Sequence, residues 1–153
     1  GSGVAGPLVI PGSYTVKLTV GEGTQSRTLD VKMDPRVAAD GITQADLQAQ
    51  LDLSLKLRDA TAEARTMATR IVGEPLDRAK GDPAKTRQIQ ALYDRVVTAN
   101  VIYPQPMLID QLSNIARMIG QADQRPGRDA YDRFADLMKE MAAIQAELKK
   151  LGG

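Results

Sequence analysis

The sequence contains no histidine, no cysteine and no tryptophan, and its only phenylalanine is Phe134. Without histidine or cysteine, a thiolate nucleophile, a Ser-His-Asp triad and the usual zinc sites are excluded. The lack of cysteine also excludes a disulfide scaffold. We therefore predict no catalytic residues, no metal and no cofactor, and expect the chain not to be an enzyme.

The charges are nearly balanced, with 20 Lys and Arg against 19 Asp and Glu and a formal net charge of +1. A dedicated nucleic-acid binder normally has a strong basic excess, so we expect no nucleic-acid partner. No apolar run approaches the roughly 20 residues that a membrane-spanning helix needs, so we expect no membrane span. Gly1-Ser2-Gly3 is typical of a cloning scar or linker, so a natural leader can lie outside this sequence.

Residues 11–35 have the alternating pattern of a β-hairpin. The apolar face of the first strand holds Tyr14, Val16, Leu18 and Val20. The second strand repeats the alternation with Leu29, Val31 and Met33. Because side chains alternate along a strand, each strand is predicted to have one buried face and one wet face. The glycine-containing segment 21–25 predicts the loop, and Leu8-Val9-Ile10 between two prolines is a candidate third strand.

Four segments with helical periodicity follow the hairpin. Thr43 and Asp46 form a capping-box pattern that opens a helix to about Val72. Asp82-Pro83 opens a second helix that ends near Val101, and Pro106 opens a third. The predicted buried stripes are Leu53, Leu57, Ala60, Ala64, Met67 and Ile71; Ile89, Leu92, Val96 and Ala99; Leu108, Leu112, Ile115, Ile119 and Ala122; and Ala130, Phe134, Leu137, Met141, Ile144, Leu148 and Leu151.

These elements predict an α+β fold that is mostly α. It comprises an N-terminal β-hairpin of two to three antiparallel strands, packed on a three- to four-helix antiparallel bundle. The two expected units are residues 1–36 and residues 43–151. The first and last helices are expected to lie side by side, with the middle pair closing the bundle. Leu47, Leu51 and Leu55 widen the apolar face of the first helix, and we expect this face to cover the hairpin.

Carboxylate pairs are the only acid–base groups that this composition offers. Asp129, Asp132 and Asp136 lie on neighbouring turns of the last helix, and sugar hydrolases do use two carboxylates. Cations alternate with these acids, however, so a solvated helix face is the favoured interpretation. Tyr103 lies between two predicted helices and is followed by Pro104 and Pro106. It could stack on a sugar or base, but a ring at the end of the bundle is favoured.

Gly73-Glu74-Pro75 predicts a break after the first helix. A basic region surrounds this break and comprises Arg65, Arg70, Arg78, Lys80, Lys85 and Arg87. A solvated loop region is the favoured interpretation, with an anionic partner as the alternative.

Two segments carry a resemblance to a known family. Pro11-Gly12-Ser13-Tyr14-Thr15-Val16-Lys17-Leu18-Thr19-Val20 and Leu29-Asp30-Val31-Lys32-Met33-Asp34-Pro35-Arg36 resemble a junction in large bacterial sortilin-like proteins, often labelled BNR-repeat glycosyl hydrolases. Asp46-Leu47-Gln48-Ala49-Gln50, Tyr103-Pro104-Gln105-Pro106-Met107-Leu108 and the closing helix are similar to the helical tail of that family.

The resemblance implies a β-propeller followed by a small immunoglobulin-like sheet and a helical tail. Residues 1–36 would then be a remnant of that sheet, and the protein would be periplasmic or secreted in a bacterium. No Asp-box repeat of the propeller occurs in this sequence. None of the matched positions belongs to a family active site, so no catalytic residue is transferred.

The sequence therefore predicts a non-catalytic accessory or interaction module, C-terminal to a β-propeller in a larger exported protein. Its expected partners are upstream domains of the same polypeptide, or a second copy bound through the hairpin edge. The interaction candidates are Tyr14, Lys17, Thr19 and Tyr103. Two alternatives stay open: a fragment of a carbohydrate-active hydrolase, with Asp132 or Asp136 and Tyr103 at a cleft, and a self-assembling structural subunit.

Overall fold

The computed structural model describes residues 6–152. The first five residues of the 1–36 unit, with the suggested cloning scar Gly1-Ser2-Gly3, lie outside the described residues. The elements are β1 (Gly12–Val20), β2 (Gly23–Val31), α1 (Pro35–Ala39), α2 (Gln44–Ile71), α3 (Glu74–Arg78), α4 (Pro83–Val96), α5 (Leu108–Ile119) and α6 (Arg128–Lys150). The predicted class is confirmed, because the chain is an α+β fold that is mostly helical and begins with an antiparallel hairpin.

The two strands pair in the register that joins their apolar faces. Tyr14 lies opposite Leu29, and Val20 lies opposite Gly23. The loop is therefore only Gly21-Glu22, shorter than the predicted segment 21–25. Gly21 has φ +58°, and glycine at the first position of a two-residue loop suits the type II′ turn, whose twist matches that of the strands.

The expected third strand at Leu8-Val9-Ile10 is wrong, since residues 6–10 form no strand. Instead, the Tyr14 hydroxyl donates a 2.6 Å hydrogen bond to the Ile10 carbonyl. This bond satisfies the Ile10 carbonyl without a ladder, and Pro11 has no amide hydrogen to continue one.

Two capped helix starts connect the hairpin to the bundle. Asp34 caps α1 by accepting from the Arg36 amide at 2.8 Å. Hydrogen bonds from the Arg36 guanidinium and amide lower the pKa of the Asp34 carboxyl to about 2, and the same pair raises the pKa of Arg36. The predicted capping box at Thr43 and Asp46 is confirmed, and hydrogen bonds from Thr43 hold the pKa of Asp46 below its ordinary value.

The helix starts follow the predicted caps more closely than the helix ends do. Asp82 accepts from the amides of Ala84 and Lys85, so α4 begins as predicted. It ends at Val96, five residues before the predicted Val101, because the chain turns extended at Val97 and the Met107 amide bonds to the Thr98 hydroxyl at 2.9 Å. The short helices α1 and α3 are additional to the four predicted segments.

The bundle is organised around α2, which contacts each of α3, α4, α5 and α6. Its most extensive neighbour is α5, although α6 was expected in that place. Gln50, near the start of α2, donates to the carbonyl of Ile119 at the end of α5, so these two helices are antiparallel. Gln145 donates to Glu63 at 2.8 Å while Tyr131 lies near Ala49, so α6 runs parallel to α2.

The core lies entirely within the helical part. Its fully buried members include Leu57, Leu112, Leu137 and Ile144. Among the described residues no polar or charged side chain is buried, and no buried side-chain nitrogen or oxygen lacks a partner. Most predicted stripe positions are buried; Ala99 and Ala122 are exposed, because both lie beyond their helix ends.

Candidate interaction surface

The apolar face of the hairpin is open to solvent. Val16 is 51% exposed, Leu18 64%, Val20 72% and Leu29 53%. The register places all four on one side of the sheet. Arg27 and Gln25 lie opposite Val16 and Leu18 on the same side, so the apolar side chains form a stripe along β1. Clustered exposed apolar side chains with a polar rim often mark a binding site. We call this set (Val16, Leu18, Val20 and Leu29) the hairpin face.

The expectation that Leu47, Leu51 and Leu55 cover this face is wrong. These three side chains are half-buried on α2, and neither strand packs against any of the helices. The hairpin meets the helices at its open end, where Gln44 donates to the Pro11 carbonyl at 3.1 Å. The capped turn α1 lies between β2 and α2 in the chain.

The predicted interaction residues of the hairpin do not share one surface. Tyr14 is half-buried and belongs to the apolar side, where its hydroxyl bonds to Ile10. Lys17 and Thr19 lie on the opposite side, which is lined mainly by Ser and Thr. There the hydroxyl of Thr19 lies 3.3 Å from that of its cross-strand partner Thr24. The hairpin therefore offers two chemically different faces, one apolar and one hydroxylated.

Tyr103 lies in the connection between α4 and α5 and is 96% exposed. Within residues 6–152 it is the sole non-glycine residue with positive φ, at 59°. This backbone region is uncommon for a side chain of this size. Its neighbours Val101 and Ile102 are also strongly exposed, so three consecutive large side chains of this connection face solvent.

Two of the three aspartates of α6 pair with cations of the same helix. Asp132 lies 3.5 Å from Arg128 and Asp136 lies 3.2 Å from Lys139. Both ion pairs are on exposed positions of one helix face, as solvated charges commonly are. Among residues 6–152 no group of three or more acidic side chains is placed to hold a metal ion.

Two shallow surface hollows lie on the bundle. One is lined by residues of α4 and the end of α6, and includes the ion pair of Arg95 with Glu147 at 3.0 Å. The other includes Gln105, Met118 and Arg133. Neither hollow contains a buried charge, and neither is lined by Tyr103, Asp132 or Asp136.

The basic region around the first helix break is partly neutralised. Arg78 pairs with Glu74 and donates to the Gly152 carbonyl at 3.2 Å, and Lys80 lies 2.7 Å from Asp77. The bond of Arg78 to Gly152 links α3 to the segment after α6, whereas the two ion pairs are local to α3. No helix among the described residues has the length and apolar character of a membrane span.

Sequence reasoning missed the exposure of the hairpin face and of Val101 and Ile102. Alternation in a strand indicates two different faces, but it does not say whether anything covers the apolar one. The apolar run Val101-Ile102-Tyr103 could have indicated the second of these. Pro104 disfavours a helical conformation at Tyr103, so the run is not expected to continue a helix whose apolar face is buried.

Comparisons of the chain with protein-family models, curated proteins and solved structures found no match.

Proposed function

We propose that this chain is a non-catalytic interaction module whose binding element is the hairpin face. The observation that carries the proposal is the exposure of four large apolar side chains on one side of an isolated hairpin. An isolated hairpin is marginal in water, and three or more strands or a packed partner are needed for stability. A partner that covers this face would bury its apolar side chains, and that burial would both stabilise the hairpin and bind the partner.

The energetics favour a partner in the same polypeptide. Full burial of one Val or Leu side chain contributes about 1.5–3 kcal/mol, so covering the exposed parts of these four would contribute about 4–7 kcal/mol. Association of two free molecules costs about 4–15 kcal/mol before any contact is counted. A tethered partner avoids much of this cost through its high effective concentration.

The proposed context is a position C-terminal to a β-propeller in a larger exported bacterial protein, with an upstream sheet as the partner. This context rests on the resemblance of the hairpin and its junction to sortilin-like proteins. The hairpin would complete an immunoglobulin-like sheet, with its apolar face toward the second layer of that sheet. The helical bundle would then serve as the rigid support of the hairpin.

Hydrogen exchange tests the proposal. The amides of β1 and β2 should exchange quickly in this chain, and at least about tenfold more slowly when the chain is joined to the domains encoded upstream. Leu18→Asp should abolish the slowing, because it places a charge in the covered face. Lys17→Asp, on the hydroxylated side of the same strand, is the matched control and should keep it.

Equal exchange rates with and without the upstream domains would contradict the proposal. So would hydrolysis of a glycoside or peptide by the purified chain at an enzyme-like rate. A glycoside panel with wild type and Asp132→Ala provides that measurement.

A further inference from the structure

We infer that the free edge of β1 pairs with β1 of a second copy, in antiparallel alignment, to form a four-stranded sheet shared by a dimer. The inference rests on the proposed function, in which the hairpin is the binding element, and it adds a partner for the edge. The edge and the hairpin face are different surfaces. Each can therefore be tested without the other.

The direction of the backbone groups shows which residues are available at this edge. In a hairpin closed by a two-residue loop, the pair beside the loop, Val20 and Gly23, is hydrogen-bonded. Hydrogen-bonded and non-hydrogen-bonded pairs then alternate along the ladder. The amides and carbonyls that point away from β2 are those of Ser13, Thr15, Lys17 and Thr19.

The length of β1 makes it self-complementary. The strand has nine residues, Gly12–Val20, with Val16 at its centre. Full antiparallel overlap with a second β1 therefore sets Val16 against Val16 and Tyr14 against Leu18 of the other copy. It also brings the outward groups of Thr15 opposite those of Lys17, so the hydrogen-bonding directions agree. Like faces meet, and the apolar side continues across both hairpins.

The charges of the two strands distinguish their edges. In the β1 pairing the only charged residue of the strand, Lys17, faces Thr15 of the other copy. The same full overlap of β2 would place Arg27, its central residue, opposite Arg27. Directly opposed like charges are destabilising across a strand pair. Pairing of β1 with β2 of another copy would repeat the Val16–Arg27 match that the hairpin itself contains. The β1 pair sets Val16 on Val16 instead, and a pair of β-branched side chains is the better cross-strand match.

The arrangement closes after two copies. A twofold pairing uses the same edge of both molecules, and the strands left at the outside are the two β2 strands. Their centre repels a further β2, so the sheet does not grow. The structure thus assigns to this chain a dimer, and not an open fibre.

Sedimentation equilibrium of the whole chain, from about 10 µM to 1 mM, tests the inference. We expect a reversible monomer–dimer equilibrium with a Kd at or below about 1 mM. Thr15→Pro removes an outward amide of β1 and should weaken the dimer at least about tenfold. Thr28→Pro is the matched control, since Thr28 lies opposite Thr15 and its amide points to the free edge of β2.

A second pair of variants avoids proline. Val16→Lys would oppose two lysines at the centre of the dimer and should abolish it. Leu29→Lys changes a side chain of the same hairpin face with nearly equal exposure, 53% against 51%, but on β2. That variant should still form the dimer.

A strictly monomeric wild type overturns the inference and leaves the proposed function intact, because hydrogen exchange tests that separately. Loss of the dimer in both lysine variants assigns the contact to the hairpin face and overturns the edge pairing. Loss in Thr28→Pro, or species larger than a dimer, indicates contacts through β2 and overturns it as well.

Discussion

The separation of the hairpin from the core makes a quantitative prediction about two leucines. Leu57 is fully buried on α2, whereas Leu18 on β1 is 64% exposed. Leu57→Ala should lower the free energy of unfolding by about 2–5 kcal/mol, through lost transfer energy and the cavity left behind. Leu18 has only about a third of its surface covered, so Leu18→Ala should cost less than about 1 kcal/mol.

Urea unfolding followed by far-ultraviolet circular dichroism is the appropriate assay, because the helices dominate that signal. The two variants should have the same slope against urea as the wild type and differ in midpoint. A loss above about 2 kcal/mol for Leu18→Ala would show that its side chain packs on the bundle, which would refute the description of an uncovered face.

A double-mutant cycle sharpens the test. Leu51 belongs to the α2 face that sequence reasoning placed under the hairpin. If the two leucines are not in contact, the costs of Leu18→Ala and Leu51→Ala should add to within about 0.5 kcal/mol. A coupling free energy of about 1 kcal/mol or more between the two substitutions would show that Leu18 and Leu51 are in contact, and would contradict the uncovered hairpin face.

Three local contacts give further predictions. The contact of Asp34 with Arg36 lowers the pKa of the Asp34 carboxyl to about 2. The contact therefore stabilises the fold at pH values above the ordinary pKa of an aspartate, and this stabilisation is lost as the pH falls toward 2. An NMR titration should show this low midpoint, and Arg36→Gln should raise it. Thr43→Ala removes the acceptor for the Asp46 amide and should cost about 1 kcal/mol in urea unfolding. Gly21→Val strains a positive φ and should disfavour the hairpin by about 1–2 kcal/mol, measured from cross-strand NOEs.

Each of these has a clear contrary result. An unchanged Asp34 midpoint in Arg36→Gln would assign the low pKa to another cause. Thr66 is an exposed threonine inside α2, five residues before its end. A Thr43→Ala variant as stable as Thr66→Ala would show that the cap contributes nothing. Full cross-strand contacts in Gly21→Val would contradict the loop geometry.

Local signals explain why much of the fold was predictable. A helix start is determined by a few adjacent residues, and the caps at Thr43 and Asp82 are both where the pattern placed them. Helix ends depend on contacts farther along the chain. The end of α4 at Val96 involves the bond between Thr98 and Met107, which lies nine residues along the chain.

The short helix α3 illustrates a second limit. Gly73-Glu74-Pro75 was interpreted as a break, although Pro75 is compatible with a first helical turn, where its missing amide costs nothing. The turn is held by burial of Pro75 and Ala79 and by the contact of Arg78 with Gly152. That contact spans most of the helical part, so no local pattern could predict it.

The candidate surface was predictable only in its chemistry. Alternation correctly separated Val16 and Leu18 from Lys17 and Thr19, because the pleat alone determines this. Whether the apolar side is covered depends on where the connection from β2 to α2 directs the strands. The positive φ of Tyr103 was likewise not predictable, because no glycine or asparagine stands at that position to indicate it.

The length of α2 has a practical consequence. Its 28 residues span about 42 Å, with Gln44 beside the hairpin at one end and α3 directly after the other. Because the sequence has no cysteine, Lys80→Cys would introduce a unique thiol at the α3 end. A fluorophore there would tumble with the molecule and report capture of a partner, while staying a helix length away from the strands that make the capture.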